Sequence, residues 1–221
     1  MLVQGTVGPP SQSFNPGVTP MTGIRLGNML DLVFSESHGK YYEAAYRNTL
    51  FSIGNGPAAL SANSITLTAA TTPIIGLWNQ STSVNCVLSK AILQLAVAGN
   101  SAVAPGAFVW ATSVNNASIT TGLTPLNRKT LVAAGSQAKG FNLGTALTGL
   151  TNNLVIQGAA AFGTLLAAQG ATATPIVGPV GYEEFDGSWI IPPGGVIALL
   201  NTTSTTTISV AASLVWEEVP I

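Results

Sequence analysis

Gly187-Ser188-Trp189-Ile190-Ile191-Pro192-Pro193-Gly194-Gly195-Val196-Ile197-Ala198-Leu199-Leu200, continued by Asn201 to Thr207 and Ile208 to Pro220, is the stretch from which the fold is read. From Thr207 to Glu217 the residues alternate. Ile208, Val210, Ala212, Leu214 and Trp216 fall on one side, and Thr207, Ser209, Ala211, Ser213, Val215 and Glu217 on the other, the period of a half-buried strand. Val196 to Leu200 is apolar on both faces and is bounded by Pro-Pro-Gly-Gly before and Asn-Thr-Thr-Ser after, which describes a strand covered on both sides. The expectation is an antiparallel pair of these two strands, joined by the Thr-rich connection.

The rest of the chain continues in the same style from Ile53 onward, as short apolar runs between Gly, Pro, Asn and Ser. Ile65, Leu67 and Ala69 alternate with Ser64, Thr66 and Thr68; Ile74 to Trp78, Val84 to Val97 and Phe108 to Ser113 follow. Thr130 to Ala134, Leu154 to Gln157, Ala161 to Ala167 and Ser188 to Ile191 extend the series, the third of these reading equally as helix. The total of about eight or nine strands predicts an all-β, jelly-roll-like sandwich over residues 53–221. Residues 1–52 read as an extended arm with a short helix. Gly5, Gly8, Pro9, Pro10, Pro16, Gly17, Pro20 and Gly23 prevent the first 23 residues from building a core. That segment is a tail without fixed structure or an arm that orders on a neighbour; Val3, Val7, Phe14 and Val18 as anchors favour the arm. Ser37 to Tyr46 suits a short helix, with Tyr42 and Tyr46 four apart and Glu43 beside Arg47.

Charge is the outlying property of the composition. Charged residues make up 7% of the 221, against about 25% in ordinary soluble domains. With a net charge of −1 and a mean hydropathy of +0.44, a lone copy is poorly protected against association, so other subunits are expected to cover much of its surface. Scarce Lys and Arg argue against nucleic-acid binding. The most apolar window, Leu154 to Ala168, is broken by Gln157, Gly158 and Gly163 and is too short to span a bilayer, so no membrane partner is expected. No secretory signal is visible in Met1 to Pro10.

Chemistry finds little support. Cys86 is the only cysteine and reads as a small core residue. His38 has no second His or Cys nearby to share a metal with. Glu183-Glu184-Phe185-Asp186 lacks the pattern of a calcium loop and reads as a solvated loop. Glu217 and Glu218, adjacent in an extended chain, point opposite ways and make a poor acid/base pair. There is no Gly-x-Ser-x-Gly elbow and no phosphate loop. The expectation is therefore a protein without catalytic residues, cofactor or metal.

Gly39-Lys40-Tyr41-Tyr42-Glu43-Ala44-Ala45-Tyr46-Arg47-Asn48-Thr49-Leu50-Phe51, the Leu77-Trp78-Asn79 turn, and the closing Trp189 to Pro220 pattern together resemble a family of structural proteins of tailed bacteriophages. The resemblance implies a capsid decoration, or cement, protein: β-rich, homotrimeric, assembled in the host cytoplasm and seated on the outer surface of the virion where subunits of the major capsid protein meet. It implies clamping contacts, to capsid or to sister copies, for Phe14, Tyr41, Tyr42, Arg47 and Phe51. The alternative is a head-fibre or tail-associated adhesin, with exposed loop aromatics such as Trp78 or Tyr182 stacking on sugars.

Overall fold

The computed structural model describes residues 40–54, 60–61, 70–71, 73–97, 108–116, 119, 122–142, 147–160, 181–201 and 209–221. The chain divides into two units, Met1–Tyr42 and Glu43–Ile221. Among the described residues a single helix, α1 (Tyr42–Tyr46), precedes the strands β1 (Leu50–Gly54), β2 (Leu60–Ser61), β3 (Ala70–Thr71), β4 (Ile75–Asn79), β5 (Val84–Val97), β6 (Phe108–Ser113) and β7 (Leu126–Asn127). These are followed by β8 (Ala138–Asn142), β9 (Leu147–Thr148), β10 (Val155–Ala159), β11 (Gly181–Glu184), β12 (Ile190–Ile191), β13 (Val196–Asn201) and β14 (Ser209–Pro220). Nine of these, β1, β4, β5, β6, β8, β10, β11, β13 and β14, run four residues or more.

One main sheet runs β11-β5-β14-β1-β7, with β12 added on β5 and β2 on β14; the other runs β10-β6-β13-β4-β8, and β3 pairs with β9 in a separate two-stranded sheet. Take the eight strands β1, β4, β5, β6, β10, β11, β13 and β14 in chain order. Their sheets alternate except at β6 and β10, which are neighbours in the five-stranded sheet, and the last two, β14 and β13, insert between early strands. That is the strand order of a jelly roll. β8 is an addition to it, laid on the outside of β4. All strand pairs are antiparallel.

The two C-terminal strands have the characters read from their patterns but not the expected pairing. β14 turns Val210, Ala212, Leu214 and Trp216 into the core. In β13, Ile197 and Leu199 face that same core, while Val196, Ala198 and Leu200 belong to a second cluster on the far face of the five-stranded sheet. The strands do not form a hairpin. β13 lies between β4 and β6, and β14 between β5 and β1, so the Thr-rich connection crosses from one sheet to the other. A strand apolar on both sides needs a covered sheet, whereas an alternating one needs a sheet with a wet face, and one sheet does not offer both.

Two local devices hold the frame. Pro192-Pro193-Gly194-Gly195 closes as a β-turn with Gly195 N–H donating to Pro192 O at 2.8 Å and Gly194 at φ +73°, the combination of Pro and Gly that a type II turn requires. In β5 the register steps from Val215↔Lys90 to Trp216↔Leu88, leaving Ser89 as a bulge. The bulge flips the parity of β5, so that Cys86 and Leu88 before it and Ala91 and Leu93 after it all face the core. This is why Val84 to Val97 reads as a run rather than an alternation.

Several expectations need correction. Leu77-Trp78-Asn79 is no turn: it ends β4, and the buried Asn79 side chain ties that end to Val84 O at 2.8 Å and Ile191 O at 2.9 Å. Thr130 to Ala134 is a turn and not a strand, for a reason given below. Glu183 and Glu184 lie in strand β11 rather than in a loop, and Phe185 is buried. The boundary between residues 52 and 53 falls inside β1, whose Leu50 to Gly54 pair with Glu217 to Ser213. Phe14, His38, the 64–69 alternation and the 161–167 run lie outside the described residues, as does most of the N-terminal arm. Among the described residues no helix is long and apolar enough to cross a membrane.

Candidate interaction surface

The sandwich has two lateral sides, and Arg47 lies at one of them. On that side β7 and β8 are the edge strands. α1 stops there by a Schellman motif: Thr49 N–H donates to Ala44 O at 3.1 Å and Asn48 N–H to Ala45 O at 3.1 Å, with Asn48 left-handed at φ 63°. Arg47 reaches back to Glu43, Nη2 to Oε1 at 2.7 Å, as the i,i+4 spacing predicts. Both are exposed, so the pair adds little to stability.

Asn127 organises what comes next. Its buried amide Nδ2 donates to Asn48 O at 3.1 Å, and its Oδ1 accepts from Lys129 N–H at 2.9 Å and Thr130 N–H at 3.1 Å. Its own N–H donates to Val132 O and its carbonyl accepts from Leu131 N–H. These bonds close a tight turn in place of a ladder, which is why an apolar stretch beginning at Thr130 does not become a strand. Lys129 Nζ donates to Tyr46 O at 2.9 Å and lies 4.3 Å from the centre of the Tyr46 ring, joining the turn to α1. The outcome is an apolar knob. Leu131, held at φ 58°, is 71% exposed and Val132 56%, with Leu126 and Tyr46 also exposed beside them.

The same side is sealed inward by Glu218. Period two from Trp216 turns this carboxylate into the protein, where it is buried. It accepts Ser136 Oγ–H at 2.6 Å, Gln137 N–H at 3.0 and 3.1 Å, and Ala138 N–H at 3.4 Å, so β14 of one sheet holds the chain entering β8 of the other. Burial first, and the Glu218 charge second, push the Cys86 thiol far above its ordinary pKa, so it stays protonated and unreactive.

On the opposite side β10 and β11 are the edges. The bulge at Ser89 sets them up: its carbonyl accepts Phe185 N–H at 2.9 Å, turning Phe185 inward against Trp110, ring centres 5.3 Å apart. Trp110 Nε1–H donates to Glu183 Oε2 at 2.8 Å across the gap between the sheets. Tyr182 OH donates to Glu184 Oε1 at 2.6 Å on the surface. Below this seam lies a cavity of about 310 Å³ lined by Thr112, Gln157, Ser188, Trp189, Ile190 and Val196, among others. Ile190 is 55% exposed at its mouth.

Of the residues expected at contacts, Tyr42 and Arg47 are exposed and Tyr41 is half-buried, with the Lys40 ammonium 5.4 Å from the centre of its ring. Phe51 is not available. It is 3% exposed and stacks on Trp216, ring centres 6.3 Å apart, because β1 is an inner strand of its sheet. Trp78 is buried too, in the second apolar cluster, and offers no ring to a sugar. The knob at Leu131 and Val132 was missed; the turn-forming Asn127-Arg128-Lys129 ahead of it was the signal. No family model, curated protein or solved structure matches this chain.

Proposed function

We propose that the chain is a structural protein of a tailed-bacteriophage head, a decoration protein that clamps neighbouring subunits of the major capsid protein from the outer surface of the shell. It acts as a homotrimer and carries out no catalysis. One observation supports this reading above the others: in a chain with 7% charged residues, a rigidly wired turn presents strained Leu131 and Val132 to solvent beside Arg47, Arg128 and Lys129. Ordered apolar groups beside cations suit a surface that is covered in the working assembly. Jelly rolls serve viral capsids, and also lectins and cupins, so the fold is an analogy only.

The test is binding to shells that lack the protein. Full-length chain mixed with such shells is expected to co-sediment in many copies spread over the whole surface, and a chain lacking residues 1–23 to lose most of that binding, since avidity amplifies the loss of one footprint. A handful of copies at a single vertex or on the tail would favour the adhesin. That second reading keeps two structural points, the exposed Tyr182 and, on the same side, a cavity with Thr112, Gln157 and Ser188 in its lining, and a glycan array tests it.

A further inference from the structure

The charges that this chain does carry are sorted by side. Among the described residues from Glu43 onward, Arg47, Arg128, Lys129 and Lys139 belong to the β7/β8 side and only Lys90 faces the other, where it pairs across strands with Glu184. Glu183, Glu184 and Asp186 stand on the β11 side. Three carboxylates share the first side with its four cations, Glu43 paired with Arg47, Glu217 beside Thr49 Oγ1 at 3.1 Å, and Glu218 buried under residues 136–138 and so withdrawn from the surface. One lateral side is therefore net positive toward solvent and the other net negative. Each also carries apolar groups of opposite shape. The positive side projects Leu131 and Val132; the negative side has the cavity edged by exposed Ile190, with Tyr182 on the adjoining strand.

We propose that the occupant of each side is a second copy of this chain: the Leu131 knob of one copy enters the Ile190 cavity of the next, with Arg128 facing Glu184. The contact is head-to-tail, joining two different surfaces, and it makes a ring where the rotation between neighbours closes, as the homotrimer requires. Charge complementarity sets orientation and rejects the reversed docking, in which like charges meet, while the buried aliphatic groups supply the affinity. The proposal deepens the homotrimer reading above and rests on it.

Sedimentation velocity on the full chain, without shells, tests the contact separately from decoration. Wild type is expected to sediment as a closed oligomer. Arg128→Glu and Glu184→Lys alone are each expected to weaken association by at least about tenfold, since each brings like charges together. The chain carrying both changes is expected to recover, because the swapped pair is again complementary. Leu131→Gly should weaken association without any charge change, and far-UV circular dichroism should be the same for all four variants. A wild type that remains a single copy overturns the proposal. If removing residues 1–39 then starts association, those residues cover the knob; if shells bind the single copy and Glu184→Lys releases it, the capsid protein covers the acidic edge. An unaffected Glu184→Lys, or no recovery in the double variant, also overturns it, and shell binding that persists in either case leaves the decoration reading standing.

Discussion

The two lateral sides of the sandwich solve one problem differently. Each must close the gap between sheets where their edge strands end, and each uses a carboxylate as the bridge. Glu218 takes donors from three consecutive residues, Ser136, Gln137 and Ala138, that lead into the edge strand of the other sheet. Glu183 takes the Trp110 indole N–H, and a cavity stays open below it. The sealed side is stiff enough to hold a leucine in a left-handed conformation facing water, and the open side has room for such a side chain. Sealing decides which side is the knob and which the socket.

Replacing each bridge measures this contrast. Glu218→Leu removes the acceptor of the Gln137 and Ala138 N–H groups, the Ser136 hydroxyl and the buried Trp216 indole N–H, and should lower the free energy of unfolding by about 3 kcal/mol in urea titrations. Glu183→Leu removes the acceptor of the Trp110 indole N–H at a half-open site and should cost about 1 kcal/mol. Equal losses would show that the sealed side owes nothing to its carboxylate.

The thiol under Glu218 gives the next largest effect. Burial holds its folded pKa above the unfolded value, so above about pH 8.5 the unfolded chain releases a proton that the folded chain keeps. Stability is fully present below that pH and should fall by roughly 1 kcal/mol per unit above it. Comparing urea midpoints of wild type and Cys86→Ala from pH 8 to 10 isolates the effect: the slope should be shallower in the variant. A parallel fall in both would mean that another group is responsible.

The smallest expected change is the most telling about the knob. Leu131→Gly removes a left-handed strain of about 1 kcal/mol and loosens the unfolded chain by a similar amount, so the melting temperature should hardly move. Association should nevertheless weaken. A clear loss of stability would show that Leu131 packs inward, and the knob would then be part of the fold instead of a contact.

Single strands were largely legible. Val84 to Val97 and Phe108 to Ser113 are strands over those very residues, and the inward set of β14 follows its alternation. Extending that alternation by one step beyond Trp216 marks Glu218 as inward, so the buried bridge was present in the pattern and passed over. The candidate surface was half legible. Helical spacing brought Glu43 to Arg47, but exposed Leu131 and Val132 look, in one dimension, like any apolar pair. Phe51 misled for the same reason: an aromatic after a charged helix suits a surface or a core equally well.

By itself the sequence determined that this chain makes β-strands, which face of each is apolar, and that ionised groups are scarce, because periodicity and composition act within a few residues of one another. Only the tertiary structure decided that β13 and β14 sit in opposite sheets, that Phe51 and Trp78 are covered, and that Arg47, Arg128, Lys129 and Lys139 gather on one side and Glu183, Glu184 and Asp186 on the other. Those outcomes depend on which strand lies beside which. Neighbour choice is set by the global requirement to cover both faces of one sheet and one face of the other, and no local pattern encodes it.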